Sequence, residues 1–225
     1  MVTLNKIPMV GIYGGTFDPI HYGHLRIAEE LLDSIGLNRI IFVPSGAPRL
    51  RATPVASRNH RAAMVRLAIQ DNTMFSLDER EINRPGVSAT VESLREYKSE
   101  LGDGAILCFI LGIDAFIKIN QWYCWQELFG LCHIVIVARP GYAAINDHQN
   151  LPADIRKEFI ARCVPDAGDL ALQSSGFIFT AQTSLLEISA SQIRSLIKTG
   201  KSIRYLLPGN VSDYIQSNRL YAGET

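Results

Sequence analysis

Apolar residues follow two rhythms along this chain. Val10–Tyr13, Arg39–Val43, Met74–Leu77, Ala105–Leu111 and His133–Ala138 read as strands. Ala105–Leu111 and His133–Ala138 are continuous apolar runs, as expected of strands buried on both faces. Elsewhere the spacing is helical. Leu25, Ala28, Leu31, Leu32 and Ile35 make one stripe, closed by Gly36, and Ala62, Val65, Leu67 and Ile69 make another within Asn59–Gln70. Thr90 reads as the cap of a helix to about Leu101, and Ala153–Cys163 reads as a further helix. Ser189 and Gln192 form a capping box that opens a helix to Lys198, ended by Gly200. A last helix is expected over Asn210 to Ser217, while Ser45–Ser57 and Pro140–Pro152 read as loops. Alternating strand and helix predicts an α/β fold, a doubly wound parallel sheet with helices on both faces. Ligands of such sheets bind beyond the C-terminal strand ends.

Length and composition sharpen this picture. The 225 residues suit one domain, 1–225, with a small C-terminal helical part from about 181 to 225. A hydrophobic share of 47% implies a packed globule rather than disorder. Lys+Arg and Asp+Glu balance at 22 each, which argues against a nucleic-acid partner and makes any anion site local. Cys108, Cys124, Cys132 and Cys163 form no C-x-x-C pair and read as buried free thiols of a reducing compartment. The N-terminal segment lacks a long apolar run, and Ala105 to Ile113 is too short to span a bilayer. A cytoplasmic protein without a membrane partner is the expectation.

The chemistry concentrates where the first strand ends, in Gly14-Gly15-Thr16 followed by His21 and His24. Glycines let backbone amides close on an anion, and a helix N-terminus attracts negative charge. The arrangement suits a triphosphate. It is neither a Walker A loop nor a G-x-G-x-x-G dinucleotide fingerprint. A zinc pair lacks an obvious third ligand nearby, and simple capping or packing of one histidine stays open. Farther on, Ser191 and Arg194 lie three apart in the first turns of a helix, where hydroxyl, amides and guanidinium can converge on one phosphate. An ordinary capped helix with a solvated arginine is the alternative. Arg49, Arg51, Arg58 and Arg61 read mostly as a solvated loop. Asp114 just past a buried strand suits a ribose hydroxyl and Trp122 suits stacking on a planar ring, whereas Trp125 reads as core.

Taken together, these segments resemble the bacterial nicotinate-mononucleotide adenylyltransferases of the nucleotidyltransferase superfamily. The likeness is strongest at Gly14-Gly-Thr-Phe-Asp-Pro-Ile-His-Tyr-Gly-His24. It continues in Gly112-Ile-Asp114, Trp122, His133 to Pro140, Ile188-Ser-Ala-Ser-Gln-Ile-Arg194, Ser202 to Pro208 and Val211 to Tyr221. It implies a Rossmann-like nucleotidyltransferase fold and transfer of AMP from ATP to nicotinate mononucleotide, giving deamido-NAD and pyrophosphate. It assigns catalysis to His21, His24 and Arg194. It assigns ATP binding to Gly14, Gly15, Thr16, His24, Gly112, Asp114, Ile188, Ser191 and Arg194, and nicotinate mononucleotide binding to Thr16, Arg51, Thr90, Trp122 and Tyr123. Mg2+ is expected mainly on the ATP phosphates, with no metal site built from protein ligands. A homo-oligomer is compatible with the sequence. Leu50 stands where the family has a histidine, Ala89 where it has a tyrosine and Glu92 where it has an aspartate. These departures bear on efficiency and base preference more than on reaction type. Two other readings stay open: a different phosphorylated acceptor within the superfamily, and a nucleotide sensor without turnover.

Overall fold

The computed structural model describes residues 7–47, 53–86, 88–138 and 150–223. β1 (Met9–Gly15) leads into α1 (Tyr22–Leu31), which widens into a π turn over Leu32–Gly36. β2 (Arg39–Pro44), α2 (Arg58–Ile69), β3 (Phe75–Leu77), the short α3 (Arg80–Asn83) and α4 (Thr90–Leu101) follow. β4 (Ile106–Gly112) runs into the single turn α5 (Ile113–Phe116), and α6 (Leu128–Leu131) precedes β5 (His133–Val137). α7 (Ala153–Arg162), β6 (Cys163–Val164), β7 (Ile178–Ala181), α8 (Ala190–Lys198) and α9 (Gly209–Ser217) complete the order.

The strands form one seven-stranded sheet in the order β3-β2-β1-β4-β5-β7-β6, with every pairing parallel. Side chains alternate between its faces, as the pleat requires. Met9, Tyr13, Ile40, Phe42, Ile106, Ile110 and Val135 enter one buried cluster, and Val10, Ile12, Ile41, Val43, Leu107, Phe109 and Ile134 enter the other. The first cluster takes in Ala28 and Leu31 of α1, Met64 and Val65 of α2, Ile193 of α8 and Val211 and Ile215 of α9. The C-terminal helices therefore share a core with the first βαβ unit. The second cluster includes Val91 and Leu94 of α4 and Ile155 and Phe159 of α7. Burial on both faces explains the unbroken apolar runs of β4 and β5.

The structure departs from the sequence-based expectations in several places. β6 and β7 were not foreseen, because a two-residue and a four-residue strand carry too little periodicity to register. Ala89, not Thr90, occupies the N-cap of α4, so Thr90 is the first helical residue. Cys108 and Cys132 are buried free thiols, but Cys124 and Cys163 are exposed, since both sit where the chain turns away from the core. Trp125 is only half-buried and packs edge-on against Phe129. Among the described residues, no helix is long and apolar enough to cross a membrane.

His133, at the start of β5, is fully buried. Its Nδ1 accepts from the Phe177 amide at 3.0 Å, and its Nε2 lies 3.1 Å from the Gln173 carbonyl. Those partners select the neutral ring protonated at Nε2, because a second proton on Nδ1 would face an N–H. Burial pushes the ring's pKa below its ordinary value. The unfolded ring therefore takes up a proton near pH 6.5 that the folded ring refuses, so this group's contribution to stability falls as pH drops from about 6.5. Urea titrations at about pH 7.5 and about pH 5.5 should give the lower midpoint at the acid end, and an NMR titration should find the His133 ring gaining its proton below the ordinary histidine range.

Candidate active site

β1 and β4 are neighbours at the centre of the sheet, and successive connections from them run toward opposite edges. That reversal opens a crevice at the strand ends. A cleft of about 1180 Å³ occupies it, bordered by Gly14 and Gly15 at the end of β1 with Thr16 beyond, by Gly112 at the end of β4 with Asp114 beyond, and by Ser45 after β2.

The histidine pair forms one wall. His21 is the N-cap of α1 in extended conformation, and the His24 amide donates back to its carbonyl at 2.9 Å. This tight start places both rings on one side, with centroids 3.8 Å apart and planes 30° apart. Their exposures are 6% and 9%, enough to reach the cleft and too little to be solvated freely. Phe17 packs edge-on against His24 at 5.1 Å, and Tyr13 lies at 6.2 Å. Gly23 leaves room for this arrangement. A Cβ there would sit 3.0 Å from the His21 ring and 3.5 Å from the Ile188 carbonyl. The first turn of α1 holds no acidic residue, so its partial positive charge is left for an external anion.

The opposite wall comes from the segment entering α8. Ser189 accepts from the Gln192 amide at 3.2 Å, as the capping box predicts, and its hydroxyl lies 3.1 Å from that of Ser191. Arg194 extends toward the histidine loop, where Nη1 donates to the Asp18 carbonyl at 2.6 Å. Ile188, Ser191 and Arg194 all border the same cleft as His21 and His24. The two phosphate-binding candidates, far apart in sequence, are thus brought together. Thr90, Trp122 and Tyr123 border it as well. Trp122 packs edge-on against Phe109 at 6.1 Å, whereas Tyr123 is more than half exposed. Arg51, with Arg49 and Leu50, lies outside the described residues.

Three buried polar side chains of this region escaped the sequence reading. Asp18 accepts from the amides of Val55 at 2.8 Å and Ala56 at 3.1 Å and from the Tyr221 hydroxyl at 2.7 Å. Arg61, grouped with arginines read mostly as solvated, is 1% exposed. It donates to the carbonyls of Thr16 at 2.7 Å, Ser45 at 2.6 Å and Gly46 at 3.0 Å, so it ties the loop after β1 to the loop after β2. Burial lowers its pKa, and the Asp18 carboxylate opposes that shift. Its signal was legible: Arg61 shares a helical stripe with Met64, Val65 and Ala68. Glu81 borders the cleft, and burial raises its pKa, while the Ser93 hydroxyl, donating at 2.9 Å, works the other way. Among the described residues, no three His, Cys, Asp or Glu side chains gather as a metal site.

Comparison with known proteins agrees with this architecture. The cytidylyltransferase-like family model matches residues 12–196. The chain is 40% identical over 212 residues to the "Probable nicotinate-nucleotide adenylyltransferase" of Dechloromonas aromatica, covering 94% of this chain and 97% of that protein. It is 41% identical over 210 residues to the protein of the same name from Serratia proteamaculans, covering 93% and 94% respectively. The chain belongs to the nicotinate-nucleotide adenylyltransferases. Its fold also matches the Plasmodium falciparum nicotinic acid mononucleotide adenylyltransferase complexed with NaAD, with a TM-score of 0.69, 20% identity and coverage of 95% of this chain and 97% of that one. A putative nicotinate-nucleotide adenylyltransferase from Vibrio parahaemolyticus has the same fold, at a TM-score of 0.61 and 16% identity, over 93% of this chain and 99% of that one.

In this adenylyltransferase the loop after β2 is pinned from two sides. Arg61 holds the Gly46 carbonyl, and a Cβ on Gly46 would lie 2.1 Å from the Glu81 carbonyl oxygen. Arg61→Leu strands three loop carbonyls without their donor, and urea unfolding should report a loss on the order of 3 kcal/mol. Gly46→Ala should lower the thermal midpoint by several degrees, on the order of 1–2 kcal/mol. Midpoints unchanged in both variants would show that neither contact holds the loop.

Proposed function

We propose that this cleft transfers AMP from ATP to nicotinate mononucleotide, giving deamido-NAD and pyrophosphate in the formation of NAD. One observation carries the reading. His21 and His24, with ring centroids 3.8 Å apart, share a strand-end cleft with an arginine anchored 2.6 Å from the loop that bears them. A cluster of donors and cations at that point suits a polyanion on a chain whose overall charge is zero.

A phosphate oxygen of the mononucleotide attacks the α-phosphorus of ATP. A new phosphorus–oxygen bond forms, the α–β bridging bond breaks, and the electron pair leaves on pyrophosphate. The nucleophile is already anionic, so the protein supplies no base. It must hold two anions together and stabilise charge on the leaving group. His21, His24 and the N-terminus of α1 are suited to donate to the α-phosphate region. Ser191 and Arg194, with the backbone at Ile188, are suited to the outer phosphates. Gly14, Gly15 and Thr16 admit close approach of the nucleotides. Gly112 and Asp114 are assigned to adenosine, and Thr90, Trp122, Tyr123 and Arg51 to the nicotinate nucleotide. Magnesium enters as part of the ATP substrate, coordinated by phosphate and water oxygens. The low exposure of both imidazoles strengthens their interaction with the phosphates, since little water screens it.

Pyrophosphate release in the presence of magnesium, ATP and either nicotinate or nicotinamide mononucleotide tests this reading. The nicotinate form should give the higher kcat/KM, and absence of product with both acceptors would overturn the proposal. His24→Ala should lower kcat by about 10²–10³-fold through loss of one transition-state donor. Wild-type turnover in that variant would remove the imidazole from the mechanism.

A further inference from the structure

Asp18 is the meeting point of four segments distant in sequence. Its Oδ1 accepts from the Ala56 amide at 3.1 Å and the Tyr221 hydroxyl at 2.7 Å, and its Oδ2 accepts from the Val55 amide at 2.8 Å. Its main-chain carbonyl takes Arg194 Nη1 at 2.6 Å, while the same nitrogen stands 3.8 Å from Oδ2, beyond hydrogen-bond distance. The carboxylate is 5% exposed and the tyrosine 9%. Arg194 is thus hydrogen-bonded to the neutral carbonyl and only ion-paired, at 3.8 Å, with the carboxylate beside it.

We propose that Tyr221 and Asp18 are positioning residues for Arg194, so that the far end of the chain sets how much of the arginine's charge is offered to the triphosphate. The inference rests on the reading of the cleft given above and deepens it. The physical basis is competition for one carboxylate. Three donors already satisfy Asp18, which weakens its pull on the guanidinium. Take away the tyrosine hydroxyl and Oδ1 loses its shortest bond. Asp18 then draws Arg194 inward, and the outer phosphates of ATP lose their partner.

The chain end is shaped for this contact. After α9 the backbone enters the left-handed region at Arg219 (φ 50°) and again at Tyr221 (φ 62°), which is uncommon for side chains of this size. Those bends return the chain to the sheet, where Tyr221 joins the buried cluster that also holds Tyr13, Phe17 and Ile193. Burial and the neighbouring carboxylate raise the pKa of the Tyr221 hydroxyl well above its ordinary range, so it remains a donor at every pH at which the protein works.

The test is a double-mutant cycle read on ATP. Tyr221→Phe keeps the ring and its packing and removes the oxygen alone. It should lower kcat/KM for ATP about tenfold and leave KM for nicotinate mononucleotide unchanged, with a thermal midpoint close to wild type. In an Arg194→Ala background the same change should have no further effect on ATP. Additive losses, equal loss toward both substrates, or wild-type kinetics in Tyr221→Phe would each overturn the proposal. Asp18→Asn is the second arm. It keeps an oxygen acceptor, removes the charge facing Arg194, and should show the same non-additivity. Calorimetric titration with ATP alone separates this inference from the choice of acceptor. If the wild type binds ATP but does not turn over nicotinate mononucleotide, the proposed reaction fails while the cycle still reports on Arg194. If the wild type does not bind ATP, the positioning proposal is overturned with it.

Discussion

Arg194 reaches across 176 positions of sequence to donate a 2.6 Å hydrogen bond to the Asp18 carbonyl, and that contact joins two segments that line one cleft. On one side stand the glycine loop and the paired imidazoles, on the other the capped start of α8. Neither side is held by its own secondary structure alone. The loop between β1 and α1 must satisfy its polar groups through remote partners, because it is buried. Asp18 does so through Val55, Ala56 and Tyr221, and the Thr16 carbonyl does so through Arg61. The cross-linking ties these loops to one another, with the parallel sheet supplying the frame beneath the proposed anion site.

The charge distribution explains how a neutral chain can serve a polyanionic reaction. Several charges elsewhere are matched in surface pairs, such as Arg95 with Glu127 and Arg162 with Glu158. Pairs of this kind contribute little to stability. At the strand ends the balance differs. Arg61 is buried against carbonyls, Arg194 meets its nearest carboxylate only as a 3.8 Å ion pair without a hydrogen bond, and the first turn of α1 carries no acid. The positive potential is therefore local and sits where little water screens it. For the proposed displacement at phosphorus by a nucleophile already charged, such a field and a fixed geometry are what a protein has to provide.

The depth at which each residue lies decides how readily sequence reveals it. Strands buried on both faces announce themselves as apolar runs, so β1, β2, β4 and β5 were legible nearly to the residue. The histidines, Ser191 and Arg194 were legible because their spacing relates to a helix start. β7 was not, since Ile178-Phe-Thr-Ala181 is short and gains its strand character by pairing with β5. Arg61 was grouped with arginines read mostly as solvated and not singled out, because charge outweighed its place in the stripe of Met64 and Val65. Asp18 and Tyr221 both stood inside segments that resemble the family, without an assigned role.

Local patterning alone determined the strand–helix alternation, the capped helix starts and the chemistry of the candidate residues, because these depend on neighbours a few positions away. Tertiary structure decided which candidates share a cleft, which arginine is a buried strut and which borders the cleft, and that Tyr221 closes on Asp18. Those outcomes depend on where the sheet reverses its connections and on competition among donors for a few buried acceptors. Both are properties of contacts between distant segments, and no window of sequence contains them.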